Sequence, residues 1–246
     1  MHNNTKIALI TGANRGIGLE TARQLATQDV FVILSARNSE KLRETKFGKE
    51  YPEADFIQLD VTDEHTIQMA KEYIETKYGR LDILINNAGI AEEWAKPPMN
   101  NSADISIDLI KKIYATNVFG VIAVTQAMLP LLKKSANGRI VNLSSGLGSL
   151  SRHADATSPF YHLKMLGYNS SKAALNQFTI HLSEALHDTQ IKVNSVSPGW
   201  VKTDLGGPYA PSPVADGAKI IVKAAMLPDE GPTGTFFTQD MAVIPW

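Results

Sequence analysis

Two tyrosine–lysine couples stand close together in SPFYHLKMLGYNSSK, residues 158–172. Tyr168 and Lys172 are four residues apart, so on a helix both side chains leave one face. Tyr161 has Lys164 three residues on, a spacing that also brings side chains together. A free phenol titrates near about 10 and exchanges protons poorly at neutral pH. A nearby ammonium stabilises the phenolate and lowers that value, which suits general acid–base work. The surroundings favour Tyr168. Tyr161 follows Pro159 in an irregular stretch, whereas Tyr168 is followed by Ser170, Ser171, Ala173 and Ala174. Such small side chains permit close packing against a ligand and a neighbouring strand. For a lone couple, a solvated helix face is the plainer account, so the rest of the chain must decide.

Upstream, TGANRGIG (11–18) follows an apolar run and opens a helical pattern. Gly12, Gly16 and Gly18 allow tight turning and close backbone approach. The helix start adds free N–H groups and a positive dipole end, which suit a pyrophosphate. The second apolar run ends at Leu34-Ser35-Ala36-Arg37, with no carboxylate where one would bind a ribose 2′-hydroxyl. Arg37 and Arg15 could clamp a 2′-phosphate instead, which favours NADP(H) over NAD(H). Two solvated surface arginines are the plain alternative. Asp60 and Val61 close the third run and could meet an adenine; Asp60 could equally cap the next helix, although Thr62 or Asp63 could serve there. In Asn86-Asn87-Ala88-Gly89, small residues admit a cofactor, while asparagine can also tie strand ends together.

The elements that must position these residues are legible as alternation. Strands are expected at 6–11, 30–35, 55–60, 81–86, 139–144, 191–198 and 233–238. Helices are expected at 16–28, 39–49, 63–78, 105–132, 168–187 and 214–227. The strands are runs of Val, Ile and Leu, as in a parallel sheet covered on both faces. The expected fold is therefore α/β: one Rossmann-type doubly wound parallel sheet of about seven strands, with helices on both faces, over 1–246. The irregular stretches 90–104, 146–167 and 199–213 each follow a strand, at the edge where such sheets bind ligands.

Composition narrows the partners. The 246 residues are 43% hydrophobic and 20% charged, with 24 Lys plus Arg against 25 Asp plus Glu. Near-zero net charge argues against nucleic acid or an anionic membrane as partner. Without cysteine there is no disulfide or thiolate zinc site. No signal-peptide pattern and no run of about 18 apolar residues is evident. A cytoplasmic location is expected.

TGANRGIG, Asp60-Val61, NNAG, Asn117, NLSS, YNSSK and PGWVKT occur in that order. With this set, nearly the whole chain resembles the short-chain dehydrogenase/reductase family of the classical type. PGWVKTDLGGP, SPVADGA and the ending FFTQDMAVIPW are most similar to its carbonyl-reductase branch. The resemblance implies an NADP(H) site formed by Gly12, Asn14, Arg15, Gly16, Ile17, Gly18, Arg37, Asp60, Val61, Asn87, Ala88 and Gly89. It adds Pro198, Gly199, Val201 and Thr203, with the Val201 backbone on the nicotinamide carboxamide. Tyr168 becomes the proton donor, and Lys172 also binds the nicotinamide ribose. Ser145, with Ser144 as runner-up, would hold the substrate oxygen. Asn117, a poor mid-helix residue, would mark a distortion holding a water that passes protons from Lys172. Trp200 either walls the pocket or is simply buried.

The implied activity is reversible reduction of small aldehydes or ketones, with no metal. Rivals are a reductase of carrier-bound 3-oxoacyl groups and a dinucleotide sensor that has lost catalysis. The stretch from Ser145 to Tyr168 is longer than the family's usual spacing. An insert around 150–163 must loop out near the pocket, and longer inserts there accompany monomers, so a monomer is expected over a homo-oligomer.

Overall fold

The structure, a computed structural model, describes residues 5–43, 45–95 and 102–246. Seven strands form one sheet: β1 (Ile7–Ile10), β2 (Phe31–Ala36), β3 (Asp55–Gln58), β4 (Ile83–Asn86), β5 (Arg139–Leu143), β6 (Lys192–Val196) and β7 (Thr235–Phe237). Their order is β3-β2-β1-β4-β5-β6-β7, and every pairing is parallel. The order reverses between β1 and β4, so the loops that follow these two strands diverge and leave a crevice at their carboxyl ends.

Alternation along each strand splits the core into two layers. Ala8, Ile10, Val32, Leu34, Ile83 and Ile85 face one side, with α1 (Gly16–Ala26) and α9 (Val214–Ala225) packed over them. Ile7, Leu9, Ile33, Leu84, Ile140 and Val193 face the other. That side carries α4 (Glu64–Tyr78), α6 (Val121–Leu132) and α8 (Leu166–Ala185). This two-sided burial favours the Val, Ile and Leu that most of the strands carry, although polar residues such as Asp55, Arg139 and Asn194 interrupt them.

The helices depart from expectation at four places. The run 39–49 divides into α2 (Glu40–Arg43) and α3 (Lys46–Glu50). Thr45 makes the break by capping α3, its side chain accepting from Gly48 N. The run 105–132 is α5 (Ile107–Tyr114), a π-helical turn (Ala115–Gly120) and α6. By length and composition Ile107–Leu132 could cross a membrane. Here it is a core helix: Val124, Met128, Leu131 and Leu132 are buried among residues of β4, β5 and α4. The helix bearing Tyr168 starts earlier than expected, at Leu166. The stretch 146–167 contains a 3₁₀ turn (Gly146–Gly148) and α7 (Leu150–Ala154). Asp63, not Asp60, caps α4, accepting from His65 N at 3.0 Å.

Candidate active site

The glycine loop sits at the mouth of the crevice. Gly12 has φ +63° and Gly16 φ +56°, in the left-handed region where a side chain is strained. A Cβ on Gly18 would stand 2.5 Å from Asn87 Nδ2, so only glycine lets α1 lie this close to the β4 loop. Asn87 Nδ2 donates to Thr11 O (2.8 Å) and Gly12 O (3.1 Å), and Thr11 Oγ1 accepts from Asn87 N and Ala88 N. Asn87 therefore shapes the loop from behind. Asn86 does the same deeper down, donating to Asn142 Oδ1 (2.8 Å) and Thr125 Oγ1 (3.0 Å). The strand-tying role of asparagine holds for both.

Arg15 precedes α1 with no side-chain cap, so the first N–H groups of α1 look into the crevice beside exposed Asn14 and half-buried Ile17. The Arg15 guanidinium pairs with Asp204 at 2.5 Å, both about 70% exposed. Arg37 stands exposed just past β2. Asp60 Oδ1 accepts from Thr62 N (2.9 Å) and Thr62 Oγ1 (2.7 Å), while Val61 is buried against Gly120 of the π turn. These residues follow β1, β2 and β3 at the carboxyl edge of the sheet, and left-handed glycines, a helix start without a side-chain cap and a cation just past β2 are chemistry that suits a phosphate-bearing dinucleotide.

At the other end, Tyr168 lies in the first turn of α8, 8% exposed, and Lys172 one turn later, 4% exposed. Lys172 Nζ donates to Leu143 O at 2.7 Å and lies 5.7 Å from the centre of the Tyr168 ring. Ser145 precedes the 3₁₀ turn, and its hydroxyl lies near enough to the Tyr168 phenol to favour the phenolate and oppose burial. Ser144 is buried, and its hydroxyl finds no partner. The two serines are thereby told apart: Ser145 faces the phenol and Ser144 faces the interior. A Cβ on Gly89 would stand 3.5 Å from Lys172 Nζ and 3.4 Å from Asn117 Oδ1, so the β4 loop closes this cluster.

The expected lowering of the phenol is not what this environment produces. Burial pushes Tyr168 up to about 12, offset in part by the Ser145 hydroxyl. Burial pushes Lys172 down to about 8. The ammonium touches Leu143 O instead of the phenol, and at that range it does not overcome desolvation.

Asn117 falls inside the π turn, so the expected distortion is present. Its amide is spent on protein: Oδ1 accepts from Ile90 N (2.9 Å), and Nδ2 donates to Ile90 O (2.9 Å) and Ser171 Oγ (3.0 Å). The side chain thus pins the β4 loop to α8. Tyr161 stays with its own segment, the Lys164 ammonium 4.7 Å from its ring and donating to His153 O.

Beyond β6, Pro198 is buried and Gly199 turns with φ +78°. Val201 is buried, and Thr203 Oγ1 accepts from Gly206 N at 3.0 Å. Trp200 is 47% exposed, and its indole N–H donates to Gly206 O, so simple burial does not explain it. Glu93 escaped sequence reasoning altogether. Its buried carboxylate accepts from Gly167 N (3.1 Å) and Tyr168 N (2.6 Å). Nothing in EEW marks a cap for a helix more than seventy residues away.

Three comparisons bear on this arrangement. The family model "short chain dehydrogenase" matches residues 6–212. The chain is 32% identical to (-)-isopiperitenone reductase of Mentha piperita over 97% of this chain and 98% of that one. Its fold superposes on the NADPH-bound carbonyl reductase from chicken fatty liver with TM-score 0.85, 28% identity and coverage of 98% and 99%. It superposes on the carbonyl reductase Sniffer of D. melanogaster with TM-score 0.86, 31% identity and coverage of 99% and 100%.

Proposed function

The chain belongs to the short-chain dehydrogenase family, and from that membership we propose an NADPH-dependent reductase of aldehyde and ketone carbonyls, reversible as an alcohol dehydrogenase. The observation that carries the reading is the buried Tyr168 phenol, near the Ser145 hydroxyl and one turn from Lys172, where Gly89 of the β4 loop closes on Lys172.

Gly12, Asn14, Gly16, Ile17 and Gly18 would hold the pyrophosphate, and Arg37 and Arg15 the 2′-phosphate. Asp60 and Val61 would flank the adenine, with Asn87, Ala88 and Gly89 along the groove. Lys172 and Tyr168 would hold the nicotinamide ribose, and Pro198, Gly199, Val201 and Thr203 the nicotinamide. When bound, NADPH supplies the hydride. Ser145 donates to the substrate oxygen and steadies its developing charge. Tyr168 gives its proton to that oxygen. A phenol held near 12 keeps its proton at neutral pH, and an alkoxide is far more basic, so transfer runs downhill. Asn117 holds Ile90, next to Gly89, in place.

The insert supports a monomer. It is strapped down by Ser151 N and Oγ donating to Trp246 O, by Lys164 on His153 O, and by Asn169 on Leu163 O. Light scattering on the purified protein measures the state. The activity test is purified protein with NADPH and a panel of aldehydes, diketones and quinones, followed by loss of reduced-nicotinamide absorbance. Turnover that disappears in Tyr168→Phe while NADPH still binds upholds the reading. NADPH binding without turnover across the panel refutes it in favour of a sensor.

A further inference from the structure

The helix that carries Tyr168 begins without a cap of its own. Met165 precedes it and offers no side-chain acceptor. The first backbone bond within the helix is Asn169 N to Met165 O, at 2.8 Å. The N–H groups of Leu166, Gly167 and Tyr168 therefore have no partner within the helix. Two of them are taken by one carboxylate from across the site. Glu93 Oε1 accepts from Gly167 N at 3.1 Å, and Glu93 Oε2 accepts from Tyr168 N at 2.6 Å. Glu93 is 2% exposed, and among the described residues no Lys, Arg or His pairs with it. The helix start, which favours an anion, is the positive partner it has among the described residues.

We propose that Glu93 is a positioning residue for Tyr168: a two-pronged clamp that fixes the first turn of α8, and with it the phenol, against the β4 loop. This rests on Tyr168 being the proton donor of the reductase reading. Glu93 belongs to the 3₁₀ turn Glu92–Ala95, a few residues past Gly89 and Ile90. Asn117 pins Ile90, and the Glu92–Lys112 ion pair (2.6 Å) ties the same turn to α5. The clamp therefore sets the phenol relative to the loop that closes the cofactor crevice. The main-chain nitrogen of Tyr168 is itself one of the two clamped atoms, so a shift of Glu93 moves the donor directly. Gly167 belongs to the device. A Cβ there would stand 3.0 Å from Glu93 Oε2 and 3.0 Å from Ile113 Cδ1.

The test is Glu93→Gln, which keeps shape but turns an –NH2 toward one backbone N–H, and Glu93→Asp, which keeps both acceptors. Hydrogen exchange at the Gly167 and Tyr168 amides, kcat, and the Kd of NADPH are measured. Glu93→Gln is expected to speed exchange at these two amides by about tenfold or more and to lower kcat by about 10- to 100-fold, the scale of a displaced catalytic group. NADPH Kd is expected to stay within about threefold, because most of the residues proposed to hold it, Gly12 to Gly18 and Arg37 among them, make no contact with the clamp. Glu93→Asp is expected to recover most of kcat. Unchanged kcat in a Glu93→Gln chain whose two amides have opened overturns the proposal. So does a parallel fall of kcat, NADPH affinity and Tm, which a merely structural role would give. If Glu93→Gln does not fold, Gly167→Ala decides: it suits a helix but crowds the clamp, and kcat must fall without loss of Tm. Absence of wild-type turnover on every carbonyl overturns the reductase reading. The wild-type amides then still report on the clamp, and fast exchange there overturns it.

Discussion

Lys172 should make the stability of the cofactor-free protein rise with pH, and Lys172→Met should abolish that rise. Burial lowers the folded-state value to about 8, against 10.5 for the free side chain. Below about 8 the ammonium is present in both the folded and unfolded chain, and its desolvation weighs on the fold in full. Between about 8 and 10.5 the unfolded chain keeps a proton that the folded chain has released. The unfolded state then binds more protons, so stability rises with pH. The whole shift corresponds to about 3 kcal/mol, and the portion between about pH 7.5 and 9.5 to about 2 kcal/mol. Tyr168 works in the opposite sense: its folded value is raised, so it costs stability only above about 10. The lower window therefore isolates the lysine. The assay is urea unfolding of both chains at the two pH values. The difference between them removes other titrating groups. Equal pH slopes in wild type and Lys172→Met would show that the ammonium is not desolvated, and the site geometry would be wrong.

Tyr161→Phe should leave turnover within about threefold, whereas Tyr168→Phe lowers kcat by about 10²- to 10⁴-fold with NADPH affinity preserved; equal losses would reverse the choice of tyrosine. Ser145→Ala should cost about 10²-fold in kcat. Ser144→Ala, which removes a buried hydroxyl without a partner, should leave kcat unchanged and Tm equal or higher, and steady-state kinetics with thermal melts reads both. Arg37→Ala should weaken NADPH by about tenfold, or about 1.4 kcal/mol, and leave NADH unchanged in titrations; unaltered discrimination removes the phosphate-clamp assignment.

The sheet was legible because burial on both faces favours apolar residues: β1 is apolar throughout, and the other six strands keep apolar residues beside polar ones such as Asp55, Arg139 and Asn194. The helices were less so where a short-range event interrupts the period. Thr45 prefers to cap α3 and splits one helix. Asn117 turns its amide out to Ile90, and the chain takes a π turn inside what reads as one apolar helix. In the site, residues whose role depends on local spacing were found: the glycines, and the Tyr168–Lys172 couple one turn apart. Residues whose role depends on a long-range contact were not. Glu93 meets α8 from a distant loop, and Leu143 offers Lys172 only a backbone carbonyl, which no side-chain pattern can announce. The electrostatics escaped for the same reason. Spacing shows that an ammonium is near, but only packing shows that both groups are dry.

That dryness bears on direction. If the lysine had brought the phenol down toward neutrality, one side chain would serve reduction and oxidation about equally at physiological pH. A phenol pushed up to about 12 is instead almost wholly protonated there. On the proposed reading it is ready to donate and unready to accept, so burial alone would favour carbonyl reduction over alcohol oxidation. Oxidation of an alcohol needs the phenolate, and hence an added positive charge close to the hydroxyl. The Lys172 ammonium faces Leu143 O and does not supply it. In the proposed reaction the cationic ring of the oxidised nicotinamide would supply such a charge in that direction only. Burial by the fold would then oppose it, and the proton on Tyr168 would answer to the redox state of the cofactor held beside it.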